Sequence, residues 1–278
     1  MKIGIVGLGL IGGSMAKSIK ARTSHEVYGI DIDSETMMFA RLCGAIDGTL
    51  DVERLSQCDL ILLAVRPGIA VQWVKENAHN IRAGAVLCDL CGIKRKVTEE
   101  IRPIAKANNF VYIGGHPMAG REVGGFVNSR VDLFDGAFMI LTPDGHTDVR
   151  ILERLRNLFI DIGFASLTFS TPDEHDRIIA FTSQLAHVVS NAYIKSPEAE
   201  RRRGFSAGSY KDMTRVARLD EDMWSELMIG NADYLSEQLR ILIDNLNKYL
   251  SALERRDEDE LRALLREGRI KKAEAGGD

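Results

Sequence analysis

One stretch constrains this chain more than any other: Gly7-Leu8-Gly9-Leu10-Ile11-Gly12, inside the opening MKIGIVGLGLIGGSMAKSIK. A short apolar run (Ile3, Ile5, Val6) precedes it and a helical pattern follows at once, so a strand must turn sharply into a helix. Gly7 permits the turn, Gly9 lets the backbone approach a pyrophosphate, and Gly12 lets the helix pack close to a sheet. The helix start then offers unpaired N–H groups and a positive dipole end to the phosphates. These six residues, with Leu8, Leu10 and Ile11 between the glycines, are the first candidate cofactor contacts. A second strand, Glu26 to Ile30, ends at Asp31. A carboxylate there accepts hydrogen bonds from a ribose 2′-OH and repels a 2′-phosphate, and no Arg follows in Ile32-Asp33-Ser34, so NAD is favoured over NADP.

Strands and helices alternate beyond this point. Leu60 to Val65 is a continuous apolar run, as expected of a strand covered on both faces, and Arg66-Pro67-Gly68 breaks it. Further strands are expected at Val86–Cys88, Phe110–Ile113, Ala137–Leu141 and Ser166–Phe169, with helices between them. The fold class is therefore α/β: a Rossmann-type, doubly wound, mostly parallel sheet. The texture changes at Thr171-Pro172-Asp173-Glu174, which carries an N-cap Thr, Pro at the first helical position and Glu at the third. No convincing strand follows. Asp220 caps a helix whose apolar residues recur at three- and four-residue steps from Trp224 to Leu253. A stripe of about thirty residues is too long for one small domain to cover, which implies burial against another subunit. The expected division is a dinucleotide-binding domain over residues 1–170 and an all-helical substrate and dimerisation domain over 171–278.

Composition narrows the class. Of 278 residues, 45% are hydrophobic and 27% charged, and the net charge of −4 carries no electrostatic footprint for nucleic acid. No run approaches a membrane span and no signal peptide is visible, so a cytoplasmic enzyme is expected. Cys88-x-x-Cys91 is formally a metal or redox spacing, but it has no second pair or neighbouring histidines and ends an apolar strand. Reduced thiols and no metal are the expectation.

Ligands of open α/β sheets sit beyond the carboxyl ends of the strands. Val65 and Arg66 stand at one such end, against the cofactor. His116 follows another strand, in Gly114-Gly115-His116-Pro117-Met118-Ala119-Gly120-Arg121-Glu122, where small residues let a ligand approach. Imidazole accepts a proton near neutral pH, which makes His116 the candidate base. On the capped helix, Ser183, Gln184 and His187 form a polar patch in apolar surroundings, needing either protein partners or a polar substrate. A third cluster runs from Gly208 through Lys211, Asp212 and Arg215 to Trp224. Arg215 suits bidentate carboxylate recognition.

Together these residues resemble the prephenate/arogenate dehydrogenase family of tyrosine biosynthesis. The resemblance rests on GLGLIGGS, Asp89-x-x-x-x-Lys94, GGHPMAGRE, the Glu174-His175-Asp176 to His187 stretch, and KDMTRVA with Trp224 behind it. It implies oxidative decarboxylation: hydride passes to nicotinamide, the ring carboxylate leaves as CO2, and the ring becomes aromatic. It also implies that His116 takes the ring-hydroxyl proton, that Arg215 binds a substrate carboxylate, and that His187, Gln184 and Trp224 line the side-chain end. Glu122 then matches an acidic residue near the active site, and Gly208, in the cluster that leads to Arg215, is a further candidate substrate contact. The implied cofactor is NAD, and the implied partners are a small-molecule substrate and a second copy through the helical domain, with no nucleic acid and no membrane. Gly92 stands where relatives often carry a Ser that assists the histidine, leaving a water, Cys91, another hydroxyl or nothing at all to orient His116. Lys94, Arg121 or the Arg201 to Arg203 run is expected to supply a second cation. Alternatives are arogenate as substrate, a 3-hydroxy-acid or imine oxidoreductase, and a non-catalytic NAD sensor.

Overall fold

The computed structural model describes residues 1–121, 123–205 and 207–276. By its internal contacts the chain divides into two compact units, Met1–Asn231 and Ala232–Asp278.

The first unit is built on an eight-stranded sheet in the order β3-β2-β1-β4-β5-β6-β7-β8. In chain order its elements begin β1 (Lys2–Val6), α1 (Leu10–Arg22), β2 (Glu26–Ile30), α2 (Ser34–Leu42), β3 (Gly48–Thr49), α3 (Val52–Leu55), β4 (Leu60–Leu63), α4 (Pro67–Asn77), β5 (Val86–Asp89), α5 (Arg95–Ala107) and β6 (Val111–Pro117). These six strands are mutually parallel. The middle strands have no polar face: Leu60–Leu63 and Val86–Asp89 are buried throughout. Helices on both sides cover them, which is why the sequence shows continuous apolar runs rather than alternation. One layer centres on Ile3, Ile5, Met15, Ile19 and Leu62, the other on Val6, Ile61, Leu63, Val74 and Val97.

The sequence misplaced one boundary that matters. β6 does not stop before Gly114-Gly115-His116-Pro117 but runs through it. Its last parallel pair with β5 is Asp89↔Gly114. From there β7 (Phe138–Thr142) lies antiparallel to β6, with His116↔Ile140 and Pro117↔Met139 in register. His116 is therefore held in a strand ladder rather than on a loop beyond it. β8 (Ser166–Phe169), reached through α6 (Val149–Asp161), closes the sheet parallel to β7.

Among the described residues no strand follows Phe169. Thr171 caps α7 (Pro172–Ile179), its hydroxyl accepting from the Glu174 N–H at 3.1 Å. The helix then widens into a π turn over Ala180–Leu185 before α8 (Ala186–Tyr193). After α9 (Gly208–Thr214), Asp220 caps α10 (Glu221–Gly230), accepting from the Met223 N–H at 2.8 Å. The expected single long helix from Asp220 is broken at Asn231, which leaves helical geometry at φ −130°, ψ 28°. Its buried amide donates to the Asp176 carbonyl at 2.8 Å and to Gln184 Oε1 at 2.9 Å, bonds that fix the break.

The second unit is α11 (Ala232–Glu254) folded back on α12 (Glu258–Ala275), the Tyr249 hydroxyl reaching the Leu264 carbonyl at 3.3 Å. Ile241, Ile243, Leu246, Leu250 and Leu253 remain exposed along α11. No helix among the described residues is long and apolar enough to cross a membrane.

Candidate active site

Three helices begin at the carboxyl edge of the parallel strands β1, β4 and β5, and their first N–H groups meet different fates. At α4, Gly68 donates to Glu226 Oε1 at 2.6 Å. At α5, Lys94 and Arg95 donate to the two Asp176 carboxylate oxygens at 2.7 and 2.8 Å. At α1 the N-cap is Gly9 and no side chain caps the helix. Protein carboxylates thus occupy two of the three positive helix ends, and the third is open to a phosphate.

The glycine turn explains that opening. Gly7 sits at φ +84°, a left-handed conformation that favours glycine. A side chain at Gly12 would overlap the Gly7 carbonyl oxygen, so α1 can lie against the turn only without one. A Cβ at Gly9 would meet nothing within 4 Å, so the space over this residue is free for a ligand. Asp31 is aimed by its own hydrogen bonds: Oδ2 accepts from the Leu8 N–H at 2.7 Å and Oδ1 from the Asp33 N–H at 3.0 Å. The bare helix end, the free space at Gly9 and the oriented carboxylate together fit a dinucleotide with an unmodified ribose. Leu10, Ile11 and Arg66 face the same opening, and Val65 packs behind it beside Gly7.

From there a cleft of about 1070 Å³ runs past Gly92 and His116 to the helices beyond residue 170. Among the described residues Arg66, Arg121, Arg215 and Arg218 line it, against two carboxylates, Asp220 and Asp222. Asp220 is already engaged as a helix cap. The lining therefore favours anions.

His116 is half-buried in the wall of this cleft. Its Nδ1 lies 2.9 Å from His175 Nε2, and His175 Nδ1 lies 2.7 Å from Asp176 Oδ1. Hydrogen-bond logic assigns the protons. The Asp176 carboxylate accepts from two backbone N–H groups, so His175 donates to it through Nδ1–H. The His175 Nε2 lone pair then accepts from His116 Nδ1–H, which leaves His116 Nε2 bare. A Cβ built on Gly92 would stand 4.0 Å from that Nε2. Burial, His175 and Lys94, in that order, hold His116 well below the usual histidine range. Burial also lowers His175, with Asp176 opposing.

Other candidates fall as follows. His187 donates from Nδ1 to the Ser183 carbonyl at 2.8 Å and stacks on Trp224 with ring centroids 4.0 Å apart, and both rings line the cleft. Gln184 also borders the cleft, but it is only 2% exposed and its amide is taken by protein: Nε2 donates to the Leu227 carbonyl at 3.2 Å, and Oε1 accepts from Asn231. Gly208 opens α9 in an exposed position. Glu122 lies outside the described residues. Lys94 is fully buried and paired with Asp89, which also accepts from the Tyr112 hydroxyl at 2.7 Å, so this lysine is spent inside the protein. Gly114 and Gly115 serve packing rather than ligand approach. A Cβ on Gly114 would press on Lys94 Cδ at 3.0 Å, and one on Gly115 on the Asp89 carbonyl at 2.7 Å. His175 had no assigned role in the sequence. Its signals are the adjacent Asp176 on a well-capped helix and its place in the Glu174-His175-Asp176 stretch on which the resemblance rests.

A mostly parallel sheet with a bare helix end at α1, opening into a cationic cleft with an imidazole in its wall, is an arrangement that suits a nicotinamide-linked dehydrogenase. Known proteins define the class more closely. Residues 15–167 match the prephenate dehydrogenase nucleotide-binding domain, and residues 171–267 match the prephenate dehydrogenase dimerization domain. A prephenate dehydrogenase of Bacillus subtilis is 29% identical over 266 residues, covering 92% of this chain and 71% of the relative. The crystal structure of A. aeolicus prephenate dehydrogenase with hydroxyphenyl propionate and NAD+ superposes with a TM-score of 0.87 at 28% identity, covering 99% of this chain and 98% of that one. Synechocystis arogenate dehydrogenase gives 0.83 at 25% identity, covering 99% and 100%. The chain belongs to the prephenate dehydrogenase family, and it is an NAD-dependent oxidoreductase.

Proposed function

We propose that this protein catalyses oxidative decarboxylation of prephenate to 4-hydroxyphenylpyruvate, the step that forms the aromatic ring in tyrosine biosynthesis, and that it works as a cytoplasmic homodimer. The observation that carries the chemistry is the bare Nε2 of His116 in the wall of a cationic cleft continuous with the bare end of α1. NAD, when bound, supplies the hydride acceptor. His116 Nε2 accepts the ring-hydroxyl proton as the C–O bond gains carbonyl character. It returns that proton to the phenol oxygen once CO2 has left, so no net proton is released. Because the histidine is neutral at physiological pH, it is ready to accept. Arg215 binds a substrate carboxylate, and Arg121 or Arg218 balances the second negative charge. The stacked His187 and Trp224 form the side-chain end, with Gln184 fixed behind them by Leu227 and Asn231. By resemblance Glu122 is an acidic group of the active site, and Gly208 is a proposed substrate contact. Asp31 selects NAD over NADP, and Gly7 to Gly12, Val65 and Arg66 frame the cofactor.

The functional boundary is placed between residues 170 and 171, which the break between the two family matches supports. Arogenate is the second reading, favoured by the likeness to an arogenate dehydrogenase. The test is NADH formation by absorbance with each substrate. Turnover with prephenate and NAD upholds the proposal. Turnover with arogenate alone keeps the mechanism and changes the substrate. Activity with neither removes both.

A further inference from the structure

We propose that the proton-accepting form of His116 is set by His175 and Asp176, acting as positioning residues, and that position 92 takes no part in orienting the ring. This rests on the role of His116 given above. His175 and Asp176 are 2% and 0% exposed, so neither touches bulk solvent. Asp176 is fixed independently of the histidines, because the Lys94 and Arg95 N–H groups at the start of α5 hold both its oxygens. From that anchor the donors run one way: His175 Nδ1 to Asp176 at 2.7 Å, then His116 Nδ1 to His175 Nε2 at 2.9 Å. The two rings cross at 60°, so His116 addresses the edge of His175, where its lone pair lies. On the other side of His116, Gly92 offers no side chain, and a Cβ built there would first meet Leu227. A lone imidazole on a strand can flip, or carry its proton on either nitrogen. Here one nitrogen is committed and the other faces the cleft.

The same geometry gives the accepted proton a second position. When His116 Nε2 takes the hydroxyl proton, His116 Nδ1 can pass its own to His175 Nε2. The positive charge then stands beside the Asp176 carboxylate, and both transfers reverse when the phenol is formed. The other charged groups facing the pair are Arg95, 3.5 Å from Asp176, and the buried Lys94–Asp89 pair.

His175→Leu removes the acceptor, while His175→Gln keeps a carbonyl that can accept from His116 Nδ1–H but cannot take up a proton. The Leu variant is expected to lose roughly 10²-fold in kcat, with KM for NAD within about twofold, and the Gln variant to recover to within about tenfold of the parent. A His116→Asn/His175→Leu double variant should be no slower than His116→Asn alone, because one group acts through the other. If His175→Leu keeps kcat within about threefold while His116→Asn is crippled, the positioning role is wrong and the role of His116 stands. Losses that multiply in the double variant also overturn the proposal. A fast His116→Asn enzyme instead removes the underlying mechanism. Nitrogen-15 spectra of histidine-labelled native protein provide a readout that survives any folding defect in the variants. His116 must carry its proton on Nδ1, and a proton on Nε2 overturns the proposal.

Discussion

Gly9→Ala and Gly12→Ala are expected to fail in opposite ways, although the two glycines sit three residues apart in one motif. A Cβ at Gly9 meets nothing within 4 Å, and the residue has a negative φ of −68°, so the folded protein accepts the methyl group. Its thermal midpoint should stay within about 3 °C of the parent, since a surface change of this kind is worth only about 0.5 kcal/mol. The methyl does stand where a pyrophosphate must approach α1. Losing one charge-assisted hydrogen bond costs about 1.5–3 kcal/mol, which is roughly 10–150-fold in Kd for NAD. A Cβ at Gly12 overlaps the Gly7 carbonyl oxygen and lies 2.9 Å from Ala64 Cβ, against backbone that cannot yield cheaply. Overpacking of this kind costs about 1–3 kcal/mol, and for a unit of this size each kcal/mol lowers the midpoint by about 2–4 °C. Scanning calorimetry and calorimetric NAD titration of both variants read the two quantities separately. Wild-type NAD affinity in Gly9→Ala would show that the phosphates do not sit on this turn. Undiminished stability in Gly12→Ala would refute the packing argument.

Three further outcomes follow from the site. Arg215→Ala should raise KM for the substrate by at least about tenfold with a smaller effect on kcat, and an unchanged KM would give that arginine a purely structural role. Asp31→Ser should lower the ratio of kcat/KM for NAD over NADP by about tenfold or more, because a fixed carboxylate no longer faces the 2′ position, and an unchanged ratio would place discrimination elsewhere. His116 and His175 both titrate below the ordinary histidine value when folded, so below about pH 6.5 the unfolded chain binds more protons. Stability should therefore be full above that pH and fall as the solution is acidified towards pH 5. His116→Asn should flatten the decline in the thermal midpoint, and an identical slope would dissociate these histidines from it.

The sequence made the nucleotide half legible because its constraints are local. A glycine turn, an apolar run and an acidic residue at the end of the next strand each act within a few residues, and all of them lie where the pattern puts them. The residues around His116 single it out, but the fold gives them a different part to play. By composition Gly114 and Gly115 suggest room for a ligand, whereas in the fold they admit Lys94, Asp89 and Met139. The strand runs on through His116 because β7 supplies an antiparallel partner, a pairing no local signal announces. The helix expected to continue past Asn231 stops there because that amide serves Asp176 and Gln184, more than forty residues upstream.

What the sequence alone determined is the α/β class, the glycine turn ahead of α1, the acidic residue at the end of β2 and a candidate base. What only the tertiary structure decided is which polar groups are spent on one another and which are left for ligands. Lys94 and Gln184 looked available and are consumed by Asp89, Leu227 and Asn231. No role for His175 follows from the sequence, and in the fold it meets His116 across 59 residues of chain. The reason is physical. A hydrogen-bonding group taken out of water must find a partner, and the nearest one in space is set by how helices and strands pack, not by distance along the chain.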